Sequence, residues 1–141
     1  MDIFSDTLVA LAAALHLYFL CLEMFLWTRP IGLRIFRNTP EQAEMMKRLA
    51  ANQGLYNGFL AGGLIWSLAV ASPLFSFDIK IFFLICIILA ALFGAMIVSR
   101  RILYVQGLPA ILALVITVAF ANPYVGLDCC VKPQTAQLET K

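Results

Sequence analysis

The stretch Leu49-Ala50-Ala51-Asn52-Gln53-Gly54-Leu55-Tyr56-Asn57-Gly58-Phe59-Leu60-Ala61-Gly62-Gly63-Leu64-Ile65-Trp66 sets three amides and a phenol into a segment otherwise apolar enough to enter a membrane. At about 100° per residue on a helix, Asn52, Gln53, Tyr56 and Asn57 fall on one arc and Gly54, Gly58 and Gly62 on the arc facing away. The glycine arc is a close-packing seam, because small residues every fourth position let two membrane helices approach. The amide arc requires hydrogen-bond partners, since an amide buried in hydrocarbon without one costs several kcal/mol. Those partners come from the same chain, from a second copy, or from a ligand.

The rest of the chain confirms the solvent. Of 141 residues, 62% are hydrophobic and 13% charged, too apolar for a soluble domain of this length. The reading is therefore a single all-α domain, a polytopic membrane protein. A net charge of +2 without a basic stripe speaks against nucleic acid as a partner. The expected partners are the lipid bilayer, a small molecule and a second copy of the chain. The start Met1-Asp2-Ile3-Phe4-Ser5-Asp6 is acidic where a signal peptide would be basic, so the first apolar block is expected to stay in place.

Four apolar blocks occupy about residues 3–27, 49–71, 79–98 and 102–121, followed by a polar tail over 122–141. Each of the first three is close to the ~20 residues that cross ~30 Å of hydrocarbon. The fourth is ambiguous: Gln106-Gly107-Leu108-Pro109 reads as a helix stop and a new start, or else the helix begins near Ile102 and is kinked at Pro109. The first of these is preferred. A four-helix transmembrane bundle results.

Basic residues orient it. Arg29, Arg34, Arg37, Lys47, Arg48, Arg100 and Arg101 lie in the first and third connections, against Lys80, Lys132 and Lys141 on the other side. The positive-inside rule then puts both termini outside a bacterial inner membrane and those two connections in the cytoplasm. Thr39-Pro40-Glu41-Gln42 is a capping box with proline at the first helical position, so helix two begins near Pro40 and runs inward from the cytoplasm. Before it, Ile31, Leu33, Ile35 and Phe36 interleaved with Arg29, Arg34 and Arg37 suit a short segment at the headgroups, a solvated loop being the alternative.

In the first span His16 and Glu23, seven apart, share a face with Leu20 and Trp27. An ionisable residue in a span is costly unless paired, and so is a functional candidate. Glu23 near the inner end of helix one, Asn52, Gln53, Tyr56 and Asn57 in the inner half of helix two, and Gln106 beyond the third connection fall at one depth. The outer halves look almost wholly apolar. Together they suggest a cytoplasm-facing polar pocket with Trp27, Tyr56 and Trp66 as aromatic walls. Glu23 and His16 would supply acid and base, and the amides would orient a ligand. One His and one Glu give no metal site, and no cofactor is implied. Cys86, Ala90 and Gly94 make a second small-residue row able to meet the glycine seam, Cys21 is a packing residue, and Cys129 and Cys130 sit together in the tail.

His16-Leu-Tyr18 with Leu22-Glu23-Met-Phe-Leu-Trp27, then Ala51-Asn52-Gln53-Gly54-Leu55-Tyr56-Asn57-Gly58-Phe59-Leu60-Ala61, then Val105-Gln106-Gly107-Leu108-Pro109-Ala110 resemble a family of small bacterial membrane proteins known as domain of unknown function 1304. The resemblance covers about residues 8–120 and leaves out the tail. It implies four spans and no stated activity. The small multidrug transporters, with a glutamate in the first of four short spans, and the membrane-bound glutathione and eicosanoid enzymes are analogies of fold alone. The expected function is binding of a small polar or amphipathic molecule. A proton-coupled carrier using Glu23, an enzyme on a lipid-soluble substrate, and a structural protein with a satisfied polar core are the alternatives.

Overall fold

The computed structural model describes residues 2–125, which are helical throughout apart from short connections. Helix α1 runs Ile3–Met24, α2 Pro30–Phe36, α3 Pro40–Ala69 and α4 Pro73–Ile97, and a π-helical turn at Leu103–Gly107 leads into α5 at Leu108–Phe120. Among the described residues three helical runs are long and apolar enough to cross a membrane: Ile3–Met24, Pro73–Ile97 and Leu103–Phe120. The 30-residue α3 is longer than any of them, but its amides and charges keep it out of that group.

The helix starts follow local chemistry. Asp2 accepts the Phe4 N–H ahead of α1. Thr39 and Gln42 exchange bonds across the first turn of α3, with Pro40 at a position where no N–H is needed. Pro73 does the same for α4, which therefore begins six residues before the apolar block at 79 and carries Asp78 and Lys80 within the helix.

At Gln106–Pro109 the expected stop does not occur. The chain widens into the π turn, with the Leu108 N–H reaching back to the Leu103 carbonyl, and continues helically through Pro109. The extra residue in that turn moves the Val105 carbonyl away from the proline ring, with which it would clash in a regular α-helix.

Helix α1 packs on α3 and α5, and α4 packs on the same two, so α1 and α4 lie across the core from each other. The core is lined by Val9, Ala12 and Ala13 of α1, Leu64 of α3, Leu84 and Ile87 of α4, and Ala110 and Ala113 of α5. Outside it, the large apolar side chains face outward in number, Phe82, Leu89, Phe93, Val115 and Phe120 among them. That distribution fits a chain whose surroundings are as apolar as its interior.

The short α2 turns back on the end of α1. Its Gly32 sits against the carbonyl oxygens of Leu26 and Trp27. Trp27 donates its indole N–H to the Ala43 carbonyl at 3.0 Å and lies against Phe36 at 4.6 Å between ring centres, so one side chain ties α1, α2 and α3 together. At the other end Tyr124 donates to the Asp78 carboxylate at 2.9 Å and sets its ring edge to Phe77, which ties the start of the tail to α4. Cys129 and Cys130 lie outside the described residues.

Candidate functional site

The glycine seam places the polar groups. An added Cβ at Gly54 would meet the Met24 side chain at 2.6 Å and the Glu23 Cβ at 3.1 Å, and one at Gly58 would meet Leu20 at 2.7 Å. The two glycines therefore let α3 lie directly on the last turns of α1. Asn57, about 60° round the helix from Gly54, is turned toward the same neighbour.

There it joins His16 and Glu23 of α1. The Asn57 side-chain amide donates to Glu23 Oε2 at 2.8 Å and to the Gln53 carbonyl at 3.3 Å, and its oxygen lies 2.7 Å from His16 Nδ1. The Gln53 backbone carbonyl can only accept, so the amide nitrogen faces it, the oxygen faces His16, and in that orientation Nδ1 of His16 is the donor. His16 and Glu23 are about 10 Å apart along the axis. One amide spans the gap because side chains on α1 lean toward its N-terminus, carrying the Glu23 carboxylate back toward His16. His16 is buried, while Glu23 and Asn57 are half-buried. Glu23 is bonded through Oε2 alone among the described residues, leaving Oε1 open.

The other sequence candidates are placed elsewhere. Asn52, Gln53 and Tyr56 point outward, Tyr56 at 50% exposure, because their arc is turned away from the Gly54–Gly58 contact with α1. Gln106 is half-buried in the π turn with no side-chain bond to Glu23 or Asn57. Neither tryptophan walls the site: Trp27 is engaged with Ala43 and Phe36, and Trp66 is 59% exposed, about two and a half turns beyond Asn57 on α3. Gly62 faces nothing within 4 Å, whereas its neighbour Gly63 receives the ring of Phe83 from α4. The row on α4 does not meet the seam either. Gly94 faces Ile102, which an added Cβ would meet at 3.2 Å, Ala90 is exposed, and Cys86 and Cys21 are free thiols. Among the described residues no three His, Cys, Asp or Glu side chains come together as metal ligands.

A second polar set was not anticipated, because the outer halves read as apolar. Lys80 of α4, 3% exposed, is paired with Asp6 of α1 at 2.5 Å. Beside it Ser5 and Thr117 share a hydrogen bond of 2.7 Å, and Ser76 donates to the Ser67 carbonyl at 2.7 Å. Lys80, a connection residue by the charge count, lies inside α4. The signal that would have found the pair is one acid and one base, each alone within the first turns of an apolar helix at the same end of the molecule.

The family described as "Protein of unknown function (DUF1304)" matches residues 10–118. The chain belongs to this family. It is 35% identical over 117 residues to the uncharacterized protein YpaA of Lactococcus lactis, covering 82% of this chain and 97% of that one. No solved structure matches. The DUF1304 region contains His16, Glu23 and Asn57 together with Lys80 and Thr117, while Asp6 and the tail fall outside it.

Proposed function

We propose that this DUF1304 protein is a four-span protein of the bacterial inner membrane whose working centre is the Glu23–Asn57–His16 set. There it binds a small polar or amphipathic molecule, in exchange for a proton on Glu23. The observation that carries the reading is the single amide that fixes His16 and Glu23 of α1 while, among the described residues, one oxygen of the half-buried Glu23 carboxylate stays unbonded. A ligand reaches Glu23 through Oε1, since Glu23 and Asn57 are in direct contact with each other. A carboxylate so placed has no inexpensive structural use in lipid. A hydrogen-bond donor on the ligand, such as an amine or hydroxyl, would replace the proton there.

The fourth span is α3. From Gly54, which touches Met24, to Ala69 it lies alongside α1, and a helix packed along a spanning helix crosses the same layer. Removing Lys80 from the count of connection residues leaves the basic excess on the side of Arg29 to Arg48 and Arg100 to Arg101, which supports both termini outside.

The test is thermal melting of purified protein against a panel of small amines and alcohols at pH 5.5 and pH 8. A ligand is expected to raise the melting temperature more at the higher pH, where protons compete less for Glu23. Glu23→Gln should remove that pH dependence. A structural role is the second reading, favoured by the fact that Asn57 is satisfied at both ends of its amide. It would be supported by a panel without effect together with a lower melting temperature in Asn57→Ala.

A further inference from the structure

Between the last turns of α4 and the π turn the surface opens into a groove of about 440 Å³, lined by Leu92, Ala95, Met96, Arg100, Leu103 and Tyr104. Its origin is local. On the inner side the two elements are drawn together, so that an added Cβ at Gly94 would come within 3.2 Å of Ile102 and one at Gly107 within 3.2 Å of Ala91. On the outer side the small Ala95 adds little bulk to the lining, and Tyr104 stands in the π turn. Leu92, Met96 and Tyr104 are all exposed, so the groove opens outward rather than into the core.

The groove is asymmetric in chemistry. Leu92, Ala95, Met96 and Leu103 make most of its lining apolar, and Arg100, in the connection between α4 and the π turn, adds the one charged side chain. Arg101 is next in sequence, and both are exposed. Among the described residues the salt bridges are Lys47 with Glu44 and Lys80 with Asp6, so neither arginine is paired with an acid of residues 2–125. A mostly apolar groove along a helix pair, bearing guanidinium groups unpaired among the described residues and an exposed tyrosine, has the layout of an acyl chain with a phosphate at its head. Tyrosine is also the residue that settles at the headgroup boundary.

We propose that this groove binds one anionic phospholipid, its acyl chain along Leu92, Met96 and Leu103 and its phosphate on Arg100. A zwitterionic lipid brings a cationic headgroup toward Arg100 and Arg101 and is disfavoured. The site is separate from Glu23 and Asn57 and does not depend on their role.

Native mass spectrometry of detergent-solubilised protein titrated with phosphatidylglycerol or phosphatidylcholine of identical chains tests it. One phosphatidylglycerol should be retained several-fold better than phosphatidylcholine. Arg100→Gln should abolish the preference, and Arg34→Gln, which removes an equal charge from α2, should keep it. Ala95→Leu fills the floor of the groove without altering charge and should lower retention of phosphatidylglycerol. Equal retention of the two lipids by the parent protein, an unchanged preference in Arg100→Gln, or a loss as large in Arg34→Gln would each overturn the assignment.

Discussion

Asn57 is bonded to His16, Glu23 and the Gln53 carbonyl at once, so its removal strands two ionisable groups in one step. Asn57→Ala should lower stability on the order of 1–3 kcal/mol, the usual cost of leaving such groups unsatisfied, read by thermal or denaturant unfolding in detergent. Glu23→Gln is a different experiment, because the new side-chain oxygen can still accept from Asn57. It should melt within a few degrees of the parent while removing the charge, which separates the chemistry of Glu23 from its structural contact. From the sequence, His16 and Glu23 share a face by spacing, and the amides of the second span fall near the same depth with their partners left open among this chain, a second copy and a ligand. Which amide could not be read. Asn52, Gln53 and Asn57 differ only in angle from the glycine seam, and the seam's own partner, α1 rather than α4, is decided by packing of whole helices that no local pattern encodes.

At the scale of an element, the glycines divide into those that touch something and one that does not. Gly62→Ala should be neutral or slightly stabilising, since an added Cβ meets nothing within 4 Å and alanine is the better helix former. Gly32→Ala should be strongly destabilising, because the Cβ would press on the Leu26 carbonyl and lie 2.7 Å from the Trp27 oxygen, and backbone cannot swing aside. Comparing the two melting temperatures checks the α1–α2 contact directly. The start of α3 carries a pH dependence of its own: Glu41, held below the usual carboxylate range by its own backbone N–H and then by the Thr39 hydroxyl, favours the folded helix when ionised. Its contribution is present above the unfolded carboxylate pKa and is lost as pH falls through the folded one. Fraying of residues 40–44, followed by amide exchange, should therefore increase on acidification, and Glu41→Gln should flatten that response. The start of α3 was legible because its cap, Thr39-Pro40-Glu41-Gln42, is local, whereas that of α4 lies six residues ahead of the apolar block at 79. The passage through Pro109 was not, because a π turn leaves no residue signature distinct from the stop that Gly107 and Pro109 otherwise signal.

For the molecule as a whole, the polar groups form two sets at opposite ends of α1 rather than one. Glu23 and His16 join α1 to its neighbour α3, whereas Asp6 reaches across the core to Lys80 on α4. A pair across the core fixes how two helices that do not share a main interface are rotated toward each other, and contributes to specificity more than to net stability. Asp6→Leu alone should cost about 3–5 kcal/mol, the penalty for leaving a buried cation without its partner. Lys80→Met alone should cost less, because Asp6 at 20% exposure keeps some access to solvent. The double variant Asp6→Leu with Lys80→Met should return close to the parent stability, since neither charge then remains buried. A cycle of unfolding measurements on the four proteins in one detergent gives the coupling energy. Additive losses in the double variant would mean that Asp6 and Lys80 act separately, and that the helices are held in register by the Ser5–Thr117 contact and the core alone.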